Sequence, residues 1–400
     1  MSAGPLDATL VAARLLTPNR TLAPGWMTLA DGRVTAIGAG RPQSTERIVD
    51  LGPRTCVPGF VDLHVHGGGG VQINSATPAE ARAAVDRVAA FHLTHGTTAL
   101  LATTVSDTPE RTLATVAGAA AANGGEAARV LGVHLEGPWL SPERAGAQDP
   151  SALREVDMVE VECLLEASAG KLRIVTLAPE LPGAEALIER LVDEGVIASI
   201  GHTEADYDVA MRAVQLGARH FTHLFNAMQP LSHRRPGPVG AALTADDVVV
   251  ELIADGRHVH PAMLAMAFRR ASSPILITDA TAAAGLPEGG RARLGLVDVV
   301  VQDGAVTLVH EPGTLAGSAL TMEAAIRTMV DLAGVPLEDA VTAATATPAA
   351  AVGREELGRL RVGSPADVTI LDDGLAVAAT LVGGRALFDR DGLFGDAGQR

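Results

Sequence analysis

The sequence predicts an α/β protein: a TIM-like (β/α)8 barrel with a small β-sandwich domain built from both chain ends. Three observations carry this. Between about residues 57 and 280, eight short apolar β-type runs alternate with alanine-rich amphipathic stretches. Strands separated by helices, at spacings of roughly 20 to 45 residues, form parallel βα units. Eight such units fit a closed barrel better than an open doubly wound sheet. The two ends, by contrast, carry short alternating runs around turns, and each is too short to stand as a β domain alone, so they pair. The expected boundaries are 1–56 with 354–400 for the sandwich and 57–353 for the barrel.

In chain order, GWMTLADGRVTAIGAG (25–40) reads as a hairpin turning at Asp31-Gly32. The barrel strands are FVDLHVH (60–66), TTALLATTV (97–105), RVLGVHLEG (129–137), LRIVTLAPE (172–180), VIASIGH (196–202), ARHFTHLFN (218–226), VVVELIADG (248–256) and PILITDA (274–280). Helical periods lie between most of them. TPAEARAAVDRVAAFHLTHG opens on Thr77-Pro78, an N-cap followed by proline at the first helical position, and closes on Gly96. PGAEALIERLVDEG follows strand four. A β-rich insertion at 291–315, turning at Asp303-Gly304, precedes helices at about 318–333 and 337–347. The runs RLRVGSPADVTILDD and ATLVGGRALF then return to β character.

Composition narrows the function. With 47% hydrophobic and 20% charged residues over 400 positions, the chain is globular and long enough to fold on its own core. A net charge of −16 repels phosphate backbones and anionic lipid surfaces, so neither nucleic acid nor membrane is an expected partner. Any anionic ligand must meet a local cluster of cations. Cys56 and Cys163 are the only cysteines, which leaves no disulfide framework and no thiolate zinc site. MSAGPLDATLVAARLL lacks a basic n-region, and no apolar run reaches membrane-spanning length, so the expected location is cytoplasmic.

Active sites of (β/α)8 barrels gather at the C-terminal ends of the strands. There this chain places His64 and His66 on strand one, Glu136 on strand three, His202 on strand five, His223 on strand six and Asp279 on strand eight. Asp255, Arg257 and His258 come just past strand seven. His64-Val65-His66 puts two imidazoles on one face, because strand side chains alternate with period two. Any one of these histidines alone reads as structural, and either acid alone reads as a cap. Their coincidence at one rim is what points to metal. Imidazole and carboxylate without thiolate suit Zn²⁺, Fe²⁺, Mn²⁺ or Co²⁺. His134 shares a face with Glu136 but lies deeper and reads as a barrel-interior residue. His92, His95, His220, His260 and His310 receive no role.

The segments PGFVDLHVHGGGG, HLEGPWLSPERAGAQDP, GHTEADY, THLFNAM, HRRPG, ADGRHVH, ITDA and GTLAGSALTM together resemble the amidohydrolase superfamily, and within it the N-acetylglucosamine-6-phosphate deacetylase branch. The resemblance covers essentially the whole chain. It implies Glu136, His202 and His223 as ligands of a main divalent metal, Zn²⁺ first among the candidates. It implies a second metal at His64 and His66, with Glu136 bridging, and Asp279 at the metal centre as general base and acid. Hydroxide generated at the metal would attack the acetyl carbonyl of N-acetyl-D-glucosamine 6-phosphate, and Asp279 would protonate the leaving amine, releasing acetate and glucosamine 6-phosphate. Asn226, Ala227, Arg234 and His258 become contacts to the sugar phosphate, Arg234 from the partner subunit of a homodimer, and Leu315 lies in the covering loop. Cations at 234 and 258 would answer the phosphate charge.

Two positions depart from the branch. Where it usually carries a histidine contacting the acetyl carbonyl, this chain reads Gly146-Ala147-Gln148-Asp149-Pro150, so Gln148 is the expected carbonyl contact, a donor without charge. Arg235 stands where glutamate is frequent. Three competing readings follow. Deacetylation of N-acetylgalactosamine 6-phosphate differs at one hydroxyl. A sugar-phosphate-binding relative, catalytically weak because of Gln148, would not need the complete metal set. A hydantoinase-like site would need a lysine at the end of strand four, whereas the single lysine, Lys171, precedes that strand.

Overall fold

The computed structural model describes residues 4–43 and 47–395. Its centre is an eight-stranded sheet whose strands lie in chain order: Phe60–Val65, Thr97–Thr104, Arg129–Glu136, Leu172–Leu177, Ile197–Ile200, His220–Phe221, Val249–Ile253 and Ser273–Ile277. All seven successive pairings are parallel. A parallel bridge between Val65 and Ala280 joins the first strand to the segment just past the eighth. The expected (β/α)8 barrel is therefore present. Every residue of the first two strands is buried, as continuous apolar runs covered on both faces require.

The strands are shorter than the apolar runs that predict them. The sixth contracts from ARHFTHLFN to His220–Phe221, and the fifth, seventh and eighth also end before their last predicted residues. For the fifth, sixth and eighth the cause is local backbone. His202, His223 and Asp279 lie beyond the strand ends in the left-handed region, with φ of 46°, 29° and 51°.

The helix Pro78–Leu93 starts as its sequence dictates. The Thr77 hydroxyl accepts from Glu80 N–H, and the Glu80 carboxylate accepts from Thr77 N–H. Its buried face, Ala81, Ala84, Val85, Val88, Ala89 and His92, follows the helical period onto the barrel.

The chain ends meet in a six-stranded sheet. Thr55–Pro58 pairs antiparallel with Val368–Leu371 and parallel with Arg14–Thr17. A four-stranded sheet comes from the N-terminal side alone, in the order Arg33–Ala39, Gly25–Ala30, Ala8–Ala12, Ile48–Asp50. Alternation gives the six-stranded sheet two buried faces. Leu15 and Cys56 join the core beneath the four-stranded sheet, while their neighbours Leu16 and Val57 join the barrel core.

The 291–315 insertion forms three antiparallel strands, Arg291–Leu294, Val297–Gln302 and Ala305–Leu308. Its apolar face packs with Val105, Ala283 and Ala316 at the C-terminal rim. The helices expected after it form as Met322–Asp331, then Leu337–Ala343 and Ala346–Ala351. No helix among the described residues is long and apolar enough to cross a membrane.

Candidate active site

His64, His66, Glu136, His202, His223 and Asp279 converge at the C-terminal rim of the barrel. Positive φ at non-glycine residues costs conformational energy and persists where surrounding contacts hold it. Here the hold is by hydrogen bonds: Asp279 N–H donates to His64 O (2.9 Å), His223 N–H to Glu251 Oε2 (3.1 Å), and Ser141 N–H to His202 O (2.9 Å).

Two triads result. Glu136 Oε1 lies 3.2 Å from His202 Nε2 and 3.1 Å from His223 Nε2, and the two nitrogens are 3.1 Å apart. His64 Nε2 and His66 Nε2 are 3.0 Å apart, with Asp279 Oδ1 at 3.5 and 3.2 Å. For three of the four rings the far side sets the tautomer. Nδ1–H donates to Glu251 Oε2 from His64 (3.0 Å), to Thr103 O from His66 (3.3 Å) and to Arg144 O from His202 (2.8 Å). In these three rings Nε2 therefore turns a lone pair inward, while Nδ1 of His223 has no hydrogen-bond partner among the described residues. Two facing lone pairs at this distance repel unless a cation lies between them, and two nitrogens on one tetrahedral zinc sit about 3.3 Å apart. The donor set fits a divalent ion at each triad.

The electrostatics agree. Burial pushes His66 toward neutrality, but hydrogen bonds with Asp279 and Glu136 prevail and raise it to about 10. Burial likewise opposes His223, which its Glu136 contact raises to about 9. Burial works against ionisation of Glu136, yet His64 and His202 hold it well below the usual carboxylate range. Asp279 is lowered too, its burial outweighed by the hydrogen bond with His66. A site that draws protons onto imidazole this strongly is one of concentrated negative potential.

Sequence reasoning passed over Glu251. It is fully buried, and besides His64 it holds His223 through the backbone, so one carboxylate braces a histidine of each triad. His220 Nε2 lies 3.3 Å from its other oxygen. Burial opposes its charge, but His64 and His220 keep it well below the usual range. The signal was visible as a lone acid inside the apolar run VVVELIA. Asp62 was also passed over; its carboxylate accepts from the Thr278 hydroxyl (2.6 Å) and the His64 N–H (3.3 Å), tying strand one to strand eight. His134 is interior: its ring nitrogens meet Leu63 O (3.0 Å) and the Thr176 hydroxyl (2.8 Å), and burial lowers it to about 3.

A cavity of about 170 Å³ opens onto the triads. Of the substrate contacts expected from the sequence, Gln148, Asn226, Ala227, His258 and Leu315 line it. His258 is oriented by Asp255, whose Oδ2 accepts from Nδ1–H at 2.6 Å. Leu294 of the insertion and Val105 form an apolar wall that the sequence did not reveal. Arg234 is exposed and does not line the cavity of its own chain. A larger cavity of about 480 Å³ lies beside Pro58 at the other end of strand one, away from both triads.

The sequence profile of the Amidohydrolase family matches residues 55–387. The chain belongs to the amidohydrolase family. This amidohydrolase is 42% identical to the N-acetyl-D-glucosamine-6-phosphate deacetylase of Mycobacterium smegmatis, whose crystal structure it matches with a TM-score of 0.88 over 95% of this chain and 100% of the other. It is 40% identical over 354 residues to the N-acetylglucosamine-6-phosphate deacetylase of Homo sapiens, covering 86% of this chain and 85% of that protein. It is also 38% identical over 381 residues to the N-acetylgalactosamine-6-phosphate deacetylase of Escherichia coli O157:H7, covering 94% and 98%. The family resemblance drawn from the sequence motifs and these comparisons agree.

Proposed function

We propose that this amidohydrolase hydrolyses the acetamide of N-acetyl-D-glucosamine 6-phosphate, giving glucosamine 6-phosphate and acetate. The observation that carries the reading is the one cavity that opens onto both triads and His258, in a chain whose relatives of that activity align over most of its length.

Glu136, His202 and His223 would hold one divalent ion, Zn²⁺ by preference, and His64, His66 and Asp279 a second. Such an ion supplies Lewis acidity and lowers the pKa of water to about 7. The chain's own residues do the rest. Asp279 accepts the proton of the attacking water and returns it to the amide nitrogen, which cannot depart as an anion. Among the described residues, no hydrogen bond engages its Oδ2, so one oxygen is free for that transfer, while Oδ1 stays beside His66. Glu136 is unsuited to the task, because both its oxygens are engaged. His258, held by Asp255, and Asn226 and Ala227 face the sugar phosphate. Arg234 supplies a further cation from the partner subunit of a homodimer, in keeping with its exposure. Leu315 closes over the substrate beside the Leu294 wall, excluding water.

N-acetyl-D-galactosamine 6-phosphate is the second reading, favoured by the Escherichia coli relative. Acetate release from both 6-phosphorylated N-acetylhexosamines and their unphosphorylated sugars tests the proposal. Fastest turnover of the glucosamine ester is expected. Failure of both esters, or equal turnover of the unphosphorylated sugars, refutes it.

A further inference from the structure

We infer that Gln148 is a positioning residue for Glu136, orienting that carboxylate toward the ion held with His202 and His223, rather than a contact to the substrate carbonyl. The inference rests on the metal-dependent reading above, but its test does not depend on which sugar is the substrate.

Gln148 is 7% exposed and spans two strand ends. Its Oε1 accepts the Ser106 backbone N–H at 2.7 Å, and its Nε2 donates to Glu136 Oε2 at 2.7 Å. The partners fix the amide's orientation without ambiguity. A backbone N–H only donates and an ionised carboxylate only accepts, so the flipped amide would lose both bonds. Ser106 lies two residues past strand two, and Glu136 ends strand three. The amide therefore acts as a strut between neighbouring strands.

Glu136 divides its oxygens accordingly. Oε1 faces His202 and His223, while Oε2 meets Gln148, with His66 Nε2 at 3.4 Å. A carboxylate terminus rotates broadly about its last torsion. A donor locked on Oε2 stops that rotation and leaves Oε1 aimed between the two imidazoles. Because the donor is neutral, it orients the carboxylate without placing a competing positive charge in the site.

Hydrogen-bond partners of metal ligands typically contribute about 10–100-fold in metal affinity. The test is a Zn²⁺ titration of the full-length protein against a chromophoric chelator, for the parent, Gln148→Leu and Gln148→His. Gln148→Leu removes the donor and is expected to weaken the tighter Zn²⁺ site about 10–100-fold. Gln148→His restores a ring N–H at similar reach and is expected to recover most of that loss, which also separates lost orientation from general damage to the fold. Affinity of Gln148→Leu within threefold of the parent overturns the inference. So does a Gln148→His variant that binds as weakly as Gln148→Leu. Inactivity of the parent on both sugar esters would defeat the substrate assignment and leave this titration standing.

Discussion

Replacing Asp279 by asparagine removes proton transfer and exchanges a charged ligand of the second triad for a neutral one, which saturating Zn²⁺ offsets. The amide has the same shape and keeps an oxygen at the position of Oδ1, 3.2 Å from His66 Nε2, but it cannot take up and return a proton. General acid–base groups contribute about 10²–10⁴ in rate, or about 2.7–5.4 kcal/mol of barrier. The structure places the expected loss in the upper part of that range, because no other carboxylate is ready to substitute. Glu136 is committed through both oxygens, Glu251 is fully buried and outside the cavity, and Asp255 is tied to His258. We therefore expect kcat for acetate release to fall about 10³–10⁴-fold while KM moves little, since the lost interaction belongs to the transition state. Zinc content at the Glu136 triad should match the parent. The assay is initial-rate acetate release at saturating Zn²⁺, with metal analysis of the same samples. A kcat within tenfold of the parent would refute the reasoning and move proton transfer to another group.

Two further predictions follow from residues behind the site. Glu251→Gln removes the negative charge from the one oxygen that accepts from both His64 Nδ1–H and His223 N–H, so the weaker Zn²⁺ equivalent should lose about 10–100-fold in affinity, read by the same chelator competition; an unchanged titration would make Glu251 a packing residue. His92 is held down to about 4 by burial, with a counteracting bond from its Nε2–H to Gly67 O at 2.9 Å. Its folded pKa lies below its unfolded value, so the unfolded chain binds more protons. Stability from this group is complete above about pH 6.5 and lost as pH falls toward 4, at up to about 1.4 kcal/mol per unit. Urea unfolding at pH 7 and pH 5 should show a smaller pH effect in His92→Gln than in the parent; equal effects would remove His92 as a source.

The sequence by itself determined the architecture and picked out the six side chains that meet at the two triads. Strand and helix periods are local, so eight alternating runs were enough to read a barrel, and the period-two spacing of His64 and His66 was enough to put both on one face. The rim rule then picked out the residues that converge at the triads, and the motifs picked out the family. Tertiary structure alone decided three things. One is the backbone at His202, His223 and Asp279: apolar runs continue through these positions, but left-handed φ ends the strands early and turns the side chains inward. Another is the pairing of Thr55–Pro58 with Val368–Leu371, since alternation marks a strand without naming its neighbour. The third is what Glu251 and Gln148 hold. Their partners lie on or just past other strands, up to 187 residues away for Glu251 and His64 and 42 for Gln148 and Ser106. A hydrogen bond is decided by where two atoms meet in space, and no local pattern in either segment encodes that meeting.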